Sequence, residues 1–195
     1  MVGLKITWAD VSGLRRVQAM IEALGDDRFR TVAARAINRT GDMAKTQVVR
    51  AMIRQTGLKR PVLVKAIGKP KGSSSTDLTY VMTTRGGDIA LKYFDAREVG
   101  RGVSAKPFGK RRRFVGKFMK AGWTPNRVAV RKFAGHVFER ASSDRTPIEK
   151  VKSGVIIPVE MVQGQSAQAF ERAVRTNLPR RVEHEIKRLS KGTLS

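Results

Sequence analysis

His136 and His184 are the only histidines, and the chain has no cysteine. The two stand far apart, and neither has a second histidine at ligand spacing. Neither reads as part of a metal site; a lone histidine is more often a packing or surface residue. A Ser-His-Asp site leaves no fixed spacing, but the Gly-x-Ser-x-Gly elbow is missing. There is no GxxxxGK[ST] loop and no GxGxxG, and Gly86-Gly87 and Gly100-Arg101-Gly102 read as turns. A metal-dependent nuclease needs converging carboxylates beside the scissile phosphate. Asp26 and Asp27 would point about 100° apart on a helix and suit a helix start. Glu185-Ile186-Lys187 has a Glu-x-Lys spacing, but on the polar side of a terminal helix with no strand Asp before it. The expectation is no enzyme, no metal and no cofactor.

What remains is charge. The 195 residues include 40 Lys+Arg against 16 Asp+Glu, a formal net charge of +24. Such a charge repels itself and calls for a polyanion: nucleic acid, an anionic membrane or an acidic partner, with nucleic acid first. From Arg97 to Arg140 there are 13 basic residues against Glu98 and Glu139. Within this stretch Lys110, Arg111, Arg112, Arg113, Lys117 and Lys120 interleave with Phe108, Phe114, Phe118 and Trp123, and Arg127 and Arg131 follow. Two readings stay open: a binding surface, or aromatics that anchor strands while the cations face water. A second stripe, Arg28, Arg35, Arg39, Arg50 and Arg54, falls along one side of a helix and reads as a polyanion-facing ridge or a solvated face. No zinc finger, basic zipper or RNA-binding signature is present. Contacts would go to phosphates, not bases, and would weaken steeply with salt.

These cations need elements to carry them. Apolar residues make up 41% of the chain, enough for one buried core and too many for a disordered basic tail. A single domain over 1–195 is expected, with no signal core and no run of ~18 apolar residues to span a membrane. Val2, Leu4, Ile6 and Trp8 alternate as a strand or arm. Leu14, Val17, Ile21 and Leu24 follow at helical spacing between Asp10 and Gly25. A long helix is predicted from Asp27 to about Gln55, weakened or bent at Gly41, and a short one from Pro61 to Ile67. Leu78, Tyr80 and Met82 alternate, Gly86-Gly87 offers a turn, and Ile89, Leu91 and Tyr93 alternate again, which predicts a hairpin. Further strands are expected over Arg112–Met119 and His136–Arg140, with mobile basic loops between. Pro147–Val151 reads as a turn or helical entry and Val155–Val159 as a buried extended segment. A last helix should start near Ser166, with Phe170, Val174, Leu178, Val182, Ile186 and Leu189 as its stripe and a kink at Pro179. The fold class is α+β: an antiparallel sheet packed with two N-terminal helices and a C-terminal helix. Its core would include Leu14, Ile21, Ile37, Val48, Phe170 and Val182.

The order of segments carries one more reading. Ala36-Ile37-Asn38-Arg39-Thr40 lies in the long helix. Phe94-Asp95-Ala96-Arg97 precedes Gly102-Val103-Ser104-Ala105, then Gly116-Lys117-Phe118 and Gly135-His136-Val137-Phe138-Glu139-Arg140. Pro147-Ile148-Glu149-Lys150 and Gly154-Val155-Ile156-Ile157-Pro158 come before the closing helix. This succession, over roughly Ala33 to Leu189, resembles the minor tail protein Z family of long-tailed phages and prophages, the tail completion proteins. The resemblance implies a non-enzymatic virion component at the head-proximal end of the tail, present in the host cytoplasm during assembly. Its partners would be the tail terminator protein, the connector and head completion proteins, and viral double-stranded DNA. A homo-oligomer is implied, a hexameric ring being the natural form, with no membrane contact. The alternative is a free, sequence-independent nucleic-acid-binding protein.

Overall fold

The computed structural model describes residues 2–7, 26–122 and 126–192. The expected helix between Asp10 and Gly25, with Leu14 and Ile21, lies outside them, as do Trp8 and Trp123. The described chain is α+β: long helices packed on each other, with small antiparallel sheets beside them.

Helix α1 spans Asp26–Thr56. Phe29, Ala33, Ile37, Ala44, Val48 and Met52 recur at helical spacing and are fully buried, as an amphipathic helix requires. It ends at Gly57, whose φ of +77° is the left-handed turn that stops helices and whose N–H donates to Ile53 O at 3.0 Å. Gly41 does not mark a break, because the helix runs through it unbroken. The Tyr80 ring lies on it instead: a Cβ there would sit 2.5 Å from Tyr80 Cζ. Helix α2 spans Arg60–Ile67, with proline in its first turn. The last helix, numbered α4 below, covers Gly164–Gly192, continues through Pro179, and packs along α1.

Strand β1 (Val2–Ile6) pairs antiparallel with β2 (Tyr80–Thr84), in register from Val2↔Thr84 to Ile6↔Tyr80. The expected hairpin does not form. Strand β3 is Asp88–Ala90, and Leu91–Tyr93 is a 3-10 turn. β3 is drawn away by its first side chain, because the Asp88 carboxylate accepts the N–H groups of Ser153 (3.1 Å) and Gly154 (2.9 Å). Strand β4 is Arg97–Glu98, β5 is Gly102–Ala105 and β6 is Arg112–Val115, hydrogen-bonded in that order. β6 stops well short of Met119, at Gly116 with φ +74°.

Strands β7 (Lys120–Ala121) and β8 (Val128–Ala129) pair with each other, and β9 is Phe138–Arg140, starting two residues after His136. Ile148–Lys150 is a strand, β10, paired with β9, and not a turn or helical entry. Strand β11 (Lys152–Ile156) pairs with β3. The extended reading of Val155–Val159 fails after Ile156: Ile157–Met161 is helix α3, with Pro158 in its first turn, where a missing N–H costs nothing. The single sheet expected from the sequence is therefore a set of short two- and three-stranded ladders.

The core is continuous. Ile37, Val48, Phe170 and Val182 are buried, together with Phe94, Leu63, Met82 and Ile157. One glutamine joins the two halves of the chain. Gln55 Nε2 donates to Glu160 Oε2 (2.6 Å) and Glu160 O (3.1 Å), while its Oε1 accepts from Ser166 N (3.2 Å) and Ser166 Oγ (3.1 Å). Both ends of that amide are satisfied, as a part-buried amide requires.

Candidate nucleic-acid interface

The register of the three-stranded ladder sorts its side chains, because residues directly opposite share a face. One row is Glu98↔Val103↔Phe114 and the next is Arg97↔Ser104↔Arg113. Val103 is fully buried, so the first row faces inward and the second outward. The outward row places Arg97 and Arg113 on either side of Ser104. Arg111 joins them: its Nη1 donates to Ser104 Oγ at 3.2 Å and its Nη2 to Asp95 Oδ2 at 2.5 Å. Arg97 Nη2 reaches the other oxygen of Asp95 at 3.2 Å. The hydrogen bond from Arg111, with the charge of Arg97, holds the Asp95 carboxyl below the usual carboxylate range. One carboxylate thus orients two arginines. Arg113 Nη2 donates to Val99 O at 3.3 Å, and Lys110 is exposed; Arg112 is exposed too, but it pairs with the buried Ala105 and so falls on the opposite face of the ladder. An ordered arginine face of this kind can take phosphate oxygens through paired N–H donors.

The inward Glu98 organises the next segment. Its Oε2 accepts the N–H groups of Met119 (2.7 Å) and Lys120 (2.8 Å), and its Oε1 pairs with Arg127. Only 7% of the Glu98 side chain is exposed, against 22% for Arg127. Arg127 also covers the Phe118 ring, 5.6 Å from its centroid, and donates to Lys120 O at 2.5 Å. Arg127 is therefore a structural clamp before it is a phosphate ligand. Lys117 is likewise paired, with Glu139. Lys120 and Arg131 are exposed, Arg131 in the 3-10 turn Arg131–Phe133.

Arg35, Arg39, Arg50 and Arg54 are all exposed on α1, and none is in an ion pair among the described residues. The structure brings one end of this stripe to the basic loop. The 3-10 turn Pro107–Gly109 packs on the end of α1, so closely that a Cβ on Gly57 would lie 2.7 Å from Gly109 N and 2.8 Å from Lys106 O. Arg54, Lys106 and Lys110 therefore share one end of the molecule. Arg35 and Arg39 do not join them: they lie about 20–30 Å away along the helix. There the loop after α2 crosses α1, fixed by Asn38 Nδ2 donating to Ser73 O at 2.9 Å and Asn38 Oδ1 accepting from Ser73 N at 2.7 Å.

Asp95, Arg97, Glu98 and Ser104 were not among the candidate contact residues read from the sequence. The alternation across Arg97, Ser104 and Arg113 becomes visible only once the register is known. Among the described residues no cluster of three or more His, Asp or Glu could hold a metal, and no helix is long and apolar enough to cross a membrane. His136 is held below the usual imidazole range by burial first, then by Lys92, Lys150 and Lys152. Compared with known protein families, with curated proteins and with solved structures, the chain matches none.

Proposed function

We propose that this chain is a structural tail completion protein of a long-tailed phage or prophage, placed at the head side of the tail, where it contacts duplex DNA through phosphates. The observation that carries the DNA contact is the outward row of Arg97, Ser104 and Arg113 with Arg111 fixed beside it by Asp95. Its arginines are held at spacing by backbone register, so they present a fixed positive face without base-reading side chains. The assignment to the tail rests on the order of segments from Ala33 to Leu189, and the α+β fold agrees with it. A sixfold ring would multiply a +24 charge, and only DNA or acidic neighbours would screen it.

A cryo-EM reconstruction of the neck of the particle encoding this chain tests the proposal. The expected result is a ring of this protein between the tail terminator and the connector, with the Arg97–Arg113 face toward the lumen. In particles carrying Arg111→Ser, Arg112→Ser and Arg113→Ser, DNA at the tail entrance should be lost or displaced. A complete neck lacking the chain would refute the tail assignment and favour a free nucleic-acid binder. Unchanged DNA in the triple variant would refute the surface assignment alone.

A further inference from the structure

A separate hollow opens beside Arg127, between β7, the Arg131–Phe133 turn and the link from β9 to β10. It has a volume of about 520 Å³ and is lined by Lys120, Arg127, Arg140 and Arg145 together with Phe118 and Phe133. That volume falls within the ~300–1,000 Å³ of ordinary small-ligand sites. Asp144 is the one carboxylate in its lining. A smaller hollow of about 230 Å³ shares Phe118, Gly122, Arg127 and Arg140, and adds Arg101 and Lys117. The two together make a trough with Arg127 and Phe118 at its middle.

We infer that this trough binds unpaired nucleotides of a single-stranded segment or frayed end of nucleic acid. The inference rests on the nucleic-acid reading above and narrows it to a second surface with a different ligand form. Two observations carry it. First, the cations are available: Arg101, Lys120, Arg140 and Arg145 form no ion pair among the described residues, whereas Lys117 and Arg127 are held by Glu139 and Glu98. Second, the wall between them is aromatic. Phe118 and Phe133 are half-buried, with centroids 6.3 Å apart and planes tilted by 54°. Phe118 is covered by Arg127 and stacked on Phe138 at 6.3 Å and 29°, so Phe133, anchored from behind by Phe138 at 4.8 Å, is the ring left for a base. Cations set around a partly open ring are what a single strand needs, phosphates going to the arginines and a base to Phe133. A paired duplex offers phosphates but keeps its base faces stacked, so the aromatic wall has no use for it.

The test is fluorescence anisotropy on the full chain with a labelled oligothymidylate of about 12 nucleotides and a duplex of the same length. Arg140→Ser/Arg145→Ser removes two exposed cations of the trough. Arg172→Ser/Arg180→Ser removes the same charge from exposed positions of α4 as a control. The trough variant should bind the single strand about tenfold more weakly at fixed salt, the α4 variant about twofold or less. Phe133→Leu, with its fold checked by circular dichroism, should weaken the single strand and leave the duplex unchanged. Equal losses in the two double variants, a loss confined to the duplex, or no single-strand binding by the unaltered chain would each overturn the inference. None of these outcomes depends on a phage particle, so the trough and the tail assignment fail separately.

Discussion

Gly41→Ala sets helix propensity against packing in a single residue. Alanine is favoured over glycine inside a helix by about 1 kcal/mol, so the helix alone predicts a gain. The structure predicts a loss. A Cβ at Gly41 would lie 2.5 Å from Cζ and 2.6 Å from Cδ1 and Cδ2 of Tyr80. Carbon pairs rest at about 3.5–4.0 Å, so the ring would have to withdraw by roughly 1 Å. Tyr80 is only 2% exposed, sits on β2 and donates its hydroxyl to Asp42 Oδ1 at 3.3 Å, which leaves the ring nowhere to go. Overpacking of this kind costs about 1–3 kcal/mol. The net expectation is a loss of up to about 2 kcal/mol, or up to roughly 4–8 °C in Tm for a domain of this size. Urea titration followed by circular dichroism at the helical band measures it. On a Tyr80→Leu background the clash is gone, and Gly41→Ala should become stabilising. A gain in the unaltered background, or the same change in both, would refute the packing argument.

Gly57→Ala should cost at least ~2 kcal/mol, because the new side chain meets both a left-handed φ of +77° and the backbone of Lys106 and Gly109; urea unfolding measures it, and a cost under half that value would contradict the close approach. Glu98→Gln keeps shape but removes the charge that faces Arg127 and two N–H groups; a loss of about 2–3 kcal/mol is expected, discounted for the partial exposure of Arg127. Failure of Glu98→Gln to lower the urea midpoint would show that the clamp contributes nothing. The folded state holds His136 below its ordinary value, so the unfolded chain takes up a proton first. Stability should therefore be full above about pH 6.5 and fall as pH drops through and below it. Thermal melts from pH 8 to 5 should show a slope that His136→Gln flattens; an unchanged slope would exclude His136 as its source.

Periodicity carried the helices. Phe29, Ile37, Val48 and Met52 on α1 and Phe170 and Val182 on α4 repeat over enough turns to leave one reading, and all are buried. The strands were a different matter. β4, β7 and β8 have two residues each, too few for any alternation to register. Gly86-Gly87 has the chemistry of a hairpin turn, yet β2 found its partner at the start of the chain and β3 found its own near Gly154. Pairing across such distances is decided by which apolar faces fit, and a local pattern cannot contain it. The β-branched run Ile156-Ile157 looked extended, but Pro158 sits comfortably in a first helical turn. At the basic surface the cations themselves were plain from their count. Their carboxylate partners were not, since Glu98 and Asp95 each meet arginines that lie 16 or more residues further on, apart from neighbouring Arg97.

The Gln55 junction has a kinetic consequence. Its partners Glu160 and Ser166 stand 105 and 111 residues downstream, and the helix that covers α1 begins only at Gly164. During synthesis the apolar side of α1 therefore emerges long before the helix that covers most of it, with α2, Tyr80 and the Pro107–Gly109 turn available earlier. Closing a loop of that length is entropically slow relative to local helix formation. The growing chain passes through a stage with formed helices and a largely bare hydrophobic stripe, the kind of intermediate that chaperones hold and that aggregates when they do not. Completion of the last helix is thus the step that converts a string of local structures into a folded protein.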